Sequence, residues 1–326
     1  MPAGRLSRRF VRVALQAVPL VLGVILLNFT LIQLLPGDAA EAFAAESGAA
    51  TQETMDMLRV RFGVDQPVFA QLINYFHNLS QFYLGFSARY NAHVTDLILA
   101  RLQMTVLLKF AALVLAFLLG ILFGVIMERW RNRWPDKLLS LLSLVLYSTP
   151  GFWIGLMLIV VFSVHLGWLP PEGSRTLGGA SKGWAYAWDV AQHMVLPVVA
   201  SATFFVAIFA RLTRGAMVEA RTADHVRTAR AKGLTSRQVT FRHVLRNALI
   251  PLSTITGMHV GALLGGSVVI ETIFSWPGLG RLTYEAVLAR EYVVLLGILL
   301  ISSILVITAN ILTDLVQTWL DPRIEA

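Results

Sequence analysis

Six apolar runs, each long enough to cross a bilayer, constrain this chain more than any other feature. They cover residues 11–35, 106–127, 138–166, 194–212, 249–274 and 292–320. A helix needs about 20 mostly apolar residues to cross a hydrocarbon core of about 30 Å. The first run follows Arg5, Arg8 and Arg9 and precedes Ala42, Ala44 and Ala45, the flanks of a cleaved signal. Its apolar length exceeds the core of a signal peptide, about 7–15 residues, so it is read as a span. The composition agrees, with 56% hydrophobic and 14% charged residues, where a soluble domain carries about 25% charged. Cysteine is absent, which removes disulfide frameworks, thiol nucleophiles and Cys-ligated metals.

The net charge of +8 suggests nucleic acid until the basic residues are placed between the runs. One side holds Arg5, Arg8, Arg9 and Arg12, then Arg129, Arg131, Arg133 and Lys137. The same side holds Arg211, Arg214, Arg221, Arg227, Arg230, Lys232, Arg237, Arg242 and Arg246, and finally Arg323. The other side has only Arg59, Arg61, Arg89, Arg101, Arg175, Lys182, Arg281 and Arg290, with Lys109 inside the second run. Lys and Arg concentrate in cytoplasmic loops. Both termini are therefore expected in the cytoplasm, and the charge reflects membrane topology; no nucleic-acid partner is expected. Residues 36–101 form an extracytoplasmic insertion with amphipathic stretches at 51–61 and 68–82, and residues 213–246 form the largest cytoplasmic loop.

Catalytic patterns are missing. The sequence has no HExxH and no Gly-x-Ser-x-Gly elbow. Residues 178–183 are rich in glycine, but they lack the Gly-Lys-Ser/Thr ending of a phosphate loop and lie in an outside loop. The histidines form no i, i+4 pair, and His165 and His193 are read as interfacial or hydrogen-bonded. A non-catalytic chain with no metal site is expected.

The cytoplasmic loop carries the clearest signal. Thr222 or Asp224 is placed to cap a short helix, Val226, Ala229 and Arg230 follow at helical spacing, and Gly233 is suited to a left-handed helix end. A second helix from Ser236 leads into the fifth run. A short, basic, capped helix of this kind suits docking into a groove of another protein. Its basic residues also suit anionic lipid.

Other segments are Leu35-Pro36-Gly37-Asp38, Phe62-Gly63-Val64-Asp65-Gln66-Pro67, Leu84-Gly85-Phe86-Ser87, and Ser148-Thr149-Pro150-Gly151-Phe152-Trp153. Further on stand His193-Met194-Val195-Leu196-Pro197, Glu271-Thr272-Ile273-Phe274-Ser275-Trp276-Pro277-Gly278, and Asp321-Pro322-Arg323. With the loop from Val226 to Leu234 and from Arg242 to Pro251, these resemble, in order and over nearly the whole chain, the permease subunits of ATP-binding-cassette importers. The match is to the dipeptide, oligopeptide and nickel branch, most nearly the first dipeptide permease subunit. Aligned on Gly233, Arg227-Thr228-Ala229 stands where the wider family has Glu-Ala-Ala, and His243-Val244-Leu245-Arg246 stands where it has Ile-x-Leu-Pro. Leu102-Gln103-Met104-Thr105 lacks the proline that often precedes the threonine.

The resemblance implies an all-α polytopic membrane protein with the type I ABC importer transmembrane fold and six transmembrane helices. Residues 1–35 are the N-terminal end and first span, 36–101 the insertion, and 102–326 the permease core with the coupling loop at 213–246. It implies a homologous second permease, two ATP-binding subunits that hold the ATP and Mg, a solute-binding protein outside, and no cofactor on this chain. By the same resemblance Asp224, Val226, Arg227, Thr228, Ala229, Arg230, Lys232, Gly233, Leu234, His243 and Arg246 couple to the ATPase. Ser148, Pro150, Phe152, Glu271, Phe274 and Trp276 are candidates for the pathway or gate. Met258-His259-Val260-Gly261 also resembles nickel and metal-chelate members, so the substrate reading is di- or oligopeptide with a metal chelate as alternative.

Several residues keep two readings. The glycines at 120 and 124, at 151 and 155, and at 257, 261 and 265 let helices approach closely, within this chain or against a second permease. Glu271 faces a cavity or partner, or pairs with Arg281. Asn310 and Asp314 are read as solvated near the cytoplasmic face. A self-sufficient secondary transporter, the rival class, needs charged relays or inverted repeats. The runs offer only Lys109, Glu271 and Asp314, and no repeat is visible.

Overall fold

The computed structural model describes residues 3–34, 51, 55–57, 59–60, 65–87, 89–179, 182–249, 251–252, 255–256 and 268–320, with the side chains of 3–14, 16 and 314–320 left aside. In chain order the elements are α1 (Ala3–Leu34), α2 (Val68–Ser80), β1 (Phe86–Ser87), β2 (Ala92–His93), α3 (Val94–Arg129) and α4 (Trp134–Ser148). Then come α5 (Gly151–Leu158), continued by a π-helical stretch Ile159–His165, and α6 (Gly183–Ala220). Next are α7 (Asp224–Ala231) and α8 (Ser236–Gln238), the latter continued by a second π-helical stretch Val239–Leu245. The chain closes with α9 (Val268–Ile273), α10 (Leu279–Ala289) and α11 (Tyr292–Leu320).

Among the described residues four helices are long and apolar enough to cross a membrane: Ala17–Leu34, Val94–Arg129, Gly183–Ala220 and Tyr292–Thr313. The third run is broken at Pro150. It is two helical arms, Trp134–Ser148 and Gly151–His165, bent by 104°. The cause is local. Proline disfavours the helical conformation in the residue before it, and Thr149 is extended at φ −81° and ψ 130°. The fifth run lies mostly outside the described residues, so the count of six rests on the sequence. The insertion's 68–82 stretch forms α2, most of 51–61 lies outside the described residues, and α3 already begins at Val94.

Helices α3 and α6 form the frame. At about 1.5 Å per residue they are about 54 and 57 Å long, so both project beyond the hydrocarbon. They run parallel, since residues four apart on one meet residues four apart on the other in the same order. Gly120 meets Phe209, Gly124 meets Thr213, and a Cβ on either glycine would collide with those side chains. This stripe therefore packs within the chain. Gly155 lies against Phe274 and Ala200, Gly151 faces open space, and the 257–265 stripe is outside the described residues. Near the outer end Val94 and Ile98 of α3 bury with Leu279, Leu282, Val294 and Ile298, which ties α10 and α11 to the frame. Helix α1 joins α11, where buried Asn28 donates from Nδ2 to the Leu296 carbonyl at 2.8 Å.

Candidate functional site

The cytoplasmic loop folds into α7 and a tight reversal. The helix buries only Val226 and Ala229, which pack with Met217, Val239, Val244 and Ala248. Asp224, Arg227, Thr228, Arg230 and Lys232 are exposed, and Asp224 pairs loosely with Arg227 at 3.7 Å. Gly233 has φ +77°, as its place in the sequence required. Its N–H donates to Arg230 O at 2.9 Å and that of Leu234 to Ala229 O at 3.3 Å, the two bonds of a Schellman end. The start differs from expectation. Ala223 is the N-cap, without a side-chain cap; Thr222 donates back to Glu219 O instead, and Asp224 is already the first helical residue.

The reversal leads to a capping box that the sequence reading passed over. Thr235 accepts from the Gln238 N–H, and the Gln238 side chain accepts from the Thr235 N–H. Its signature, Thr-x-x-Gln, stood in plain sequence. The segment from Ser236 is helical as expected, but wound as a π-helix over 239–245. His243 is half-buried there and Arg246 exposed.

One ion pair fixes this unit to the spans, and a second ties α6 to α4 beside it. Arg221, just past α6, holds Glu128 of α3 with two bonds from one guanidinium edge, Nε and Nη2, and its Nη2 also reaches Thr240 Oγ1 at 3.3 Å. Glu128 is almost wholly buried. Arg214 makes a two-bond pair with Asp136 of α4, at 2.8 and 2.9 Å. A further bond joins His225 of α7 to Asn247 at 2.9 Å. Parallel α3 and α6 bring Glu128 and Arg221 to the same depth, and loop residues 93 positions apart become one clamp.

The six candidate gate residues divide into two groups. Ser148, Pro150 and Phe152 are exposed at the bend between α4 and α5, whereas Glu271, Phe274 and Trp276 are buried. Among the described residues Glu271 is fully buried and does not pair with the Arg281 charge. Its carboxylate accepts from Thr105 Oγ1 at 3.0 Å and from the N–H groups of Gly280 and Arg281 at 2.7 and 3.2 Å. Thr105 Oγ1 in turn accepts from the Leu279 N–H at 2.8 Å. The first turn of α10 thus spends its orphan donors on Glu271 and Thr105. The Arg281 guanidinium turns to Glu285 and the Ser275 carbonyl.

The chain reverses between the two through Ser275 at φ 47°. Gly278 has no room for a side chain there, because a Cβ would strike the Glu271 carboxylate and the Thr105 hydroxyl. Trp276 is anchored by its Nε1, which donates to Met104 O at 3.0 Å, and Phe274 lies among Leu196, Ala200 and Ile270. Nearby, Tyr90 donates to Glu285 at 3.3 Å; burial, then that carboxylate, push its phenol up from the ordinary value. Buried Lys109 makes no ion pair among the described residues. His193 bonds Asp189, by its carbonyl at 2.8 Å, and His165 bonds Val160 O. Asn310 is exposed; the Asp314 side chain, Met258-His259 and the Asp321-Pro322-Arg323 end lie outside the described residues.

Comparison with known proteins follows the same pattern. Residues 120–326 match the family model described as binding-protein-dependent transport system inner membrane component. The glutathione transport system permease protein GsiC of Escherichia coli strain K12 is 37% identical over 307 residues, 94% of this chain and 95% of its own. The oligopeptide transport system permease protein AppB of Bacillus subtilis is 35% identical over 316 residues, 97% of this chain and 98% of its own. In fold, an inward-facing structure of the MetNI methionine ABC transporter superposes with a TM-score of 0.54 at 20% identity, covering 69% of this chain and 96% of that one.

Proposed function

The chain belongs to the family of binding-protein-dependent transport system inner membrane components, and from that premise we propose that it carries di- or oligopeptides inward as one permease subunit of an ATP-driven importer. It is a multi-pass inner-membrane protein of the ABC importer transmembrane fold. A homologous permease completes the pathway, two ATP-binding subunits dock inside, and a solute-binding protein delivers substrate from outside. The chain itself catalyses nothing and binds no cofactor; ATP and Mg belong to the docked subunits. End-to-end identity to permeases named for oligopeptide and glutathione transport supports the peptide substrate over a metal chelate.

The coupling residues are Asp224, Val226, Arg227, Thr228, Ala229, Arg230, Lys232, Gly233, Leu234, His243 and Arg246. One observation carries this assignment: the Arg221–Glu128–Thr240 clamp ties the segment after α7 to the inner ends of α3 and α6, and α7 packs on that segment through Val226 and Ala229 while its charged face stays open. A displacement of α7 by a closing ATPase pair therefore travels into both long helices as a rigid movement. Ser148, Pro150 and Phe152, at the 104° bend, line the pathway, while Glu271, Phe274 and Trp276 brace its outer end.

The test is isolation of the tagged chain from mild-detergent membranes with its partners identified by mass spectrometry, followed by uptake of labelled dialanine by the reconstituted assembly. Recovery of a second permease with ATP-binding subunits, and ATP-dependent uptake, is the expected result. The chain recovered alone, or an assembly that ignores peptides, would overturn the reading.

A further inference from the structure

A cleft of about 510 Å³ opens on α6, lined by Ile208, Arg211 and Leu212 and by Ile255 of the fifth run. Arg211 stands ten residues before Arg221 on the same helix, about 15 Å outward from the clamp at helical rise. Arg211 is exposed, on the helix itself and not in the loop that follows it. The Arg211 guanidinium lies 4.8 Å from the centre of the Tyr147 ring, and Tyr147 stacks on Phe204 with centroids 5.2 Å apart and planes 18° from parallel. Among the described residues it has no ion pair and no hydrogen bond.

This combination is specific. Ring stacking occupies the face of a guanidinium and leaves its in-plane N–H groups free. Those donors match a carboxylate in a two-bond fork. A cation at membrane depth is costly against lipid and by default faces a cavity or a partner. The opposite side of α6 is closed by α3, through Gly120 and Gly124 on Phe209 and Thr213. Arg211 instead points toward α4 and the fifth run, where the cleft is. Arg214, one turn further in, is already neutralised by Asp136. Arg211 is thus an unspent fork in an otherwise apolar cleft.

We propose that Arg211, placed over the Tyr147 ring, receives the free terminal carboxylate of the transported peptide in the inner half of the pathway. The proposal rests on the peptide-import reading. One cation among apolar walls gives a brief stop with release to the cytoplasm, which transport requires.

The test uses the purified permease–ATPase complex without the solute-binding protein, so that the binding protein's own preference does not enter. Equilibrium dialysis compares labelled dialanine with its C-terminal amide. Loss of a charge-assisted hydrogen bond predicts at least about tenfold weaker binding of the amide. Arg211→Gln should erase that preference by weakening the free acid alone, and Arg211→Lys should restore it in part. A wild-type complex with no preference overturns the proposal, as does one that binds neither peptide yet imports dialanine once binding protein is added. Equal weakening of acid and amide in Arg211→Gln also overturns it, since that is a structural role. So does an intact preference with loss of co-purifying anionic phospholipid, since Arg211 then serves a lipid headgroup. If the assembly imports no dialanine at all, the peptide reading falls first and this proposal with it.

Discussion

Arg221 and Glu128 close a two-bond ion pair across the inner ends of two parallel helices, and the same guanidinium reaches Thr240 in the following segment. Glu128 is buried and Arg221 is about one-quarter exposed, at 3% and 28%. Removing one partner of such a pair leaves an uncompensated charge, at a cost toward the lower end of about 3–5 kcal/mol. Glu128→Gln should therefore lower the thermal midpoint of the solubilised complex. Glu128→Leu with Arg221→Met should recover stability, because hydrophobic replacement of a buried pair is often neutral, yet it should not recover uptake per ATP hydrolysed. Full uptake by the stable double variant would show that the clamp only holds the fold together.

Gly233 offers a cleaner separation of folding from coupling. At φ +77° it sits where a side chain is strained, by about 1–2 kcal/mol. Gly233→Ala should cost about that much and leave uptake measurable. Gly233→Pro removes the bond to Arg230 O and cannot adopt positive φ. It should stop uptake while ATP hydrolysis by the assembled complex continues. The check is the ratio of dialanine imported to ATP hydrolysed, and an unchanged ratio in Gly233→Pro would remove α7 from the coupling path.

At the outer end the sensitive position is Gly278. Alanine there drives a Cβ into the Glu271 carboxylate and Thr105, and overpacking of this kind costs about 1–3 kcal/mol. Glu271→Gln keeps the shape and one acceptor for the Gly280 N–H, so it should lose only the charge–dipole part, up to about 2 kcal/mol in a partly buried site. Thermal unfolding followed in detergent should rank Gly278→Ala as the more damaging. The reverse order would mean that the Glu271 charge has a role beyond holding α10.

These sites differ in how far the sequence exposed them. Gly233 was legible because a left-handed helix end is a local demand that glycine meets. The Gly120 and Gly124 stripe was legible as close packing, but its partner was not; Phe209 and Thr213 are named only once α3 and α6 lie parallel. Pro150 stands at the break between α4 and α5, but its angle of 104° depends on packing that no local pattern records. The partners of Glu271 were hidden because they are non-local: Thr105 is 166 positions away, and the backbone N–H groups it caps leave no mark in the side-chain pattern. Arg221 and Glu128 had the same obscurity, each passing for an ordinary charge at the edge of a span. Thr235 and Gln238 are the opposite case, a local signature that reading the loop for its basic residues overlooked.

The charged face of α7 gives the last prediction. Arg227 is 78% exposed, Arg230 is exposed beside it, and both point away from the buried Val226 and Ala229. A surface ion pair within the chain contributes at most about 1 kcal/mol, so reversing these charges should barely change folding. Arg227→Glu with Arg230→Glu should leave the amount of protein in the membrane and its thermal midpoint nearly unchanged. Facing a partner, the same reversal places like charges at an interface, which costs several kcal/mol. Recovery of ATP-binding subunits with the tagged chain should then fall by at least about tenfold. Adding salt to the wild-type complex should weaken the same association gradually, since exposed charges are screened beyond about 8 Å at physiological ionic strength. If the double reversal leaves both recovery and uptake intact, these two cations serve the membrane surface, and the docking energy must come from elsewhere on the loop.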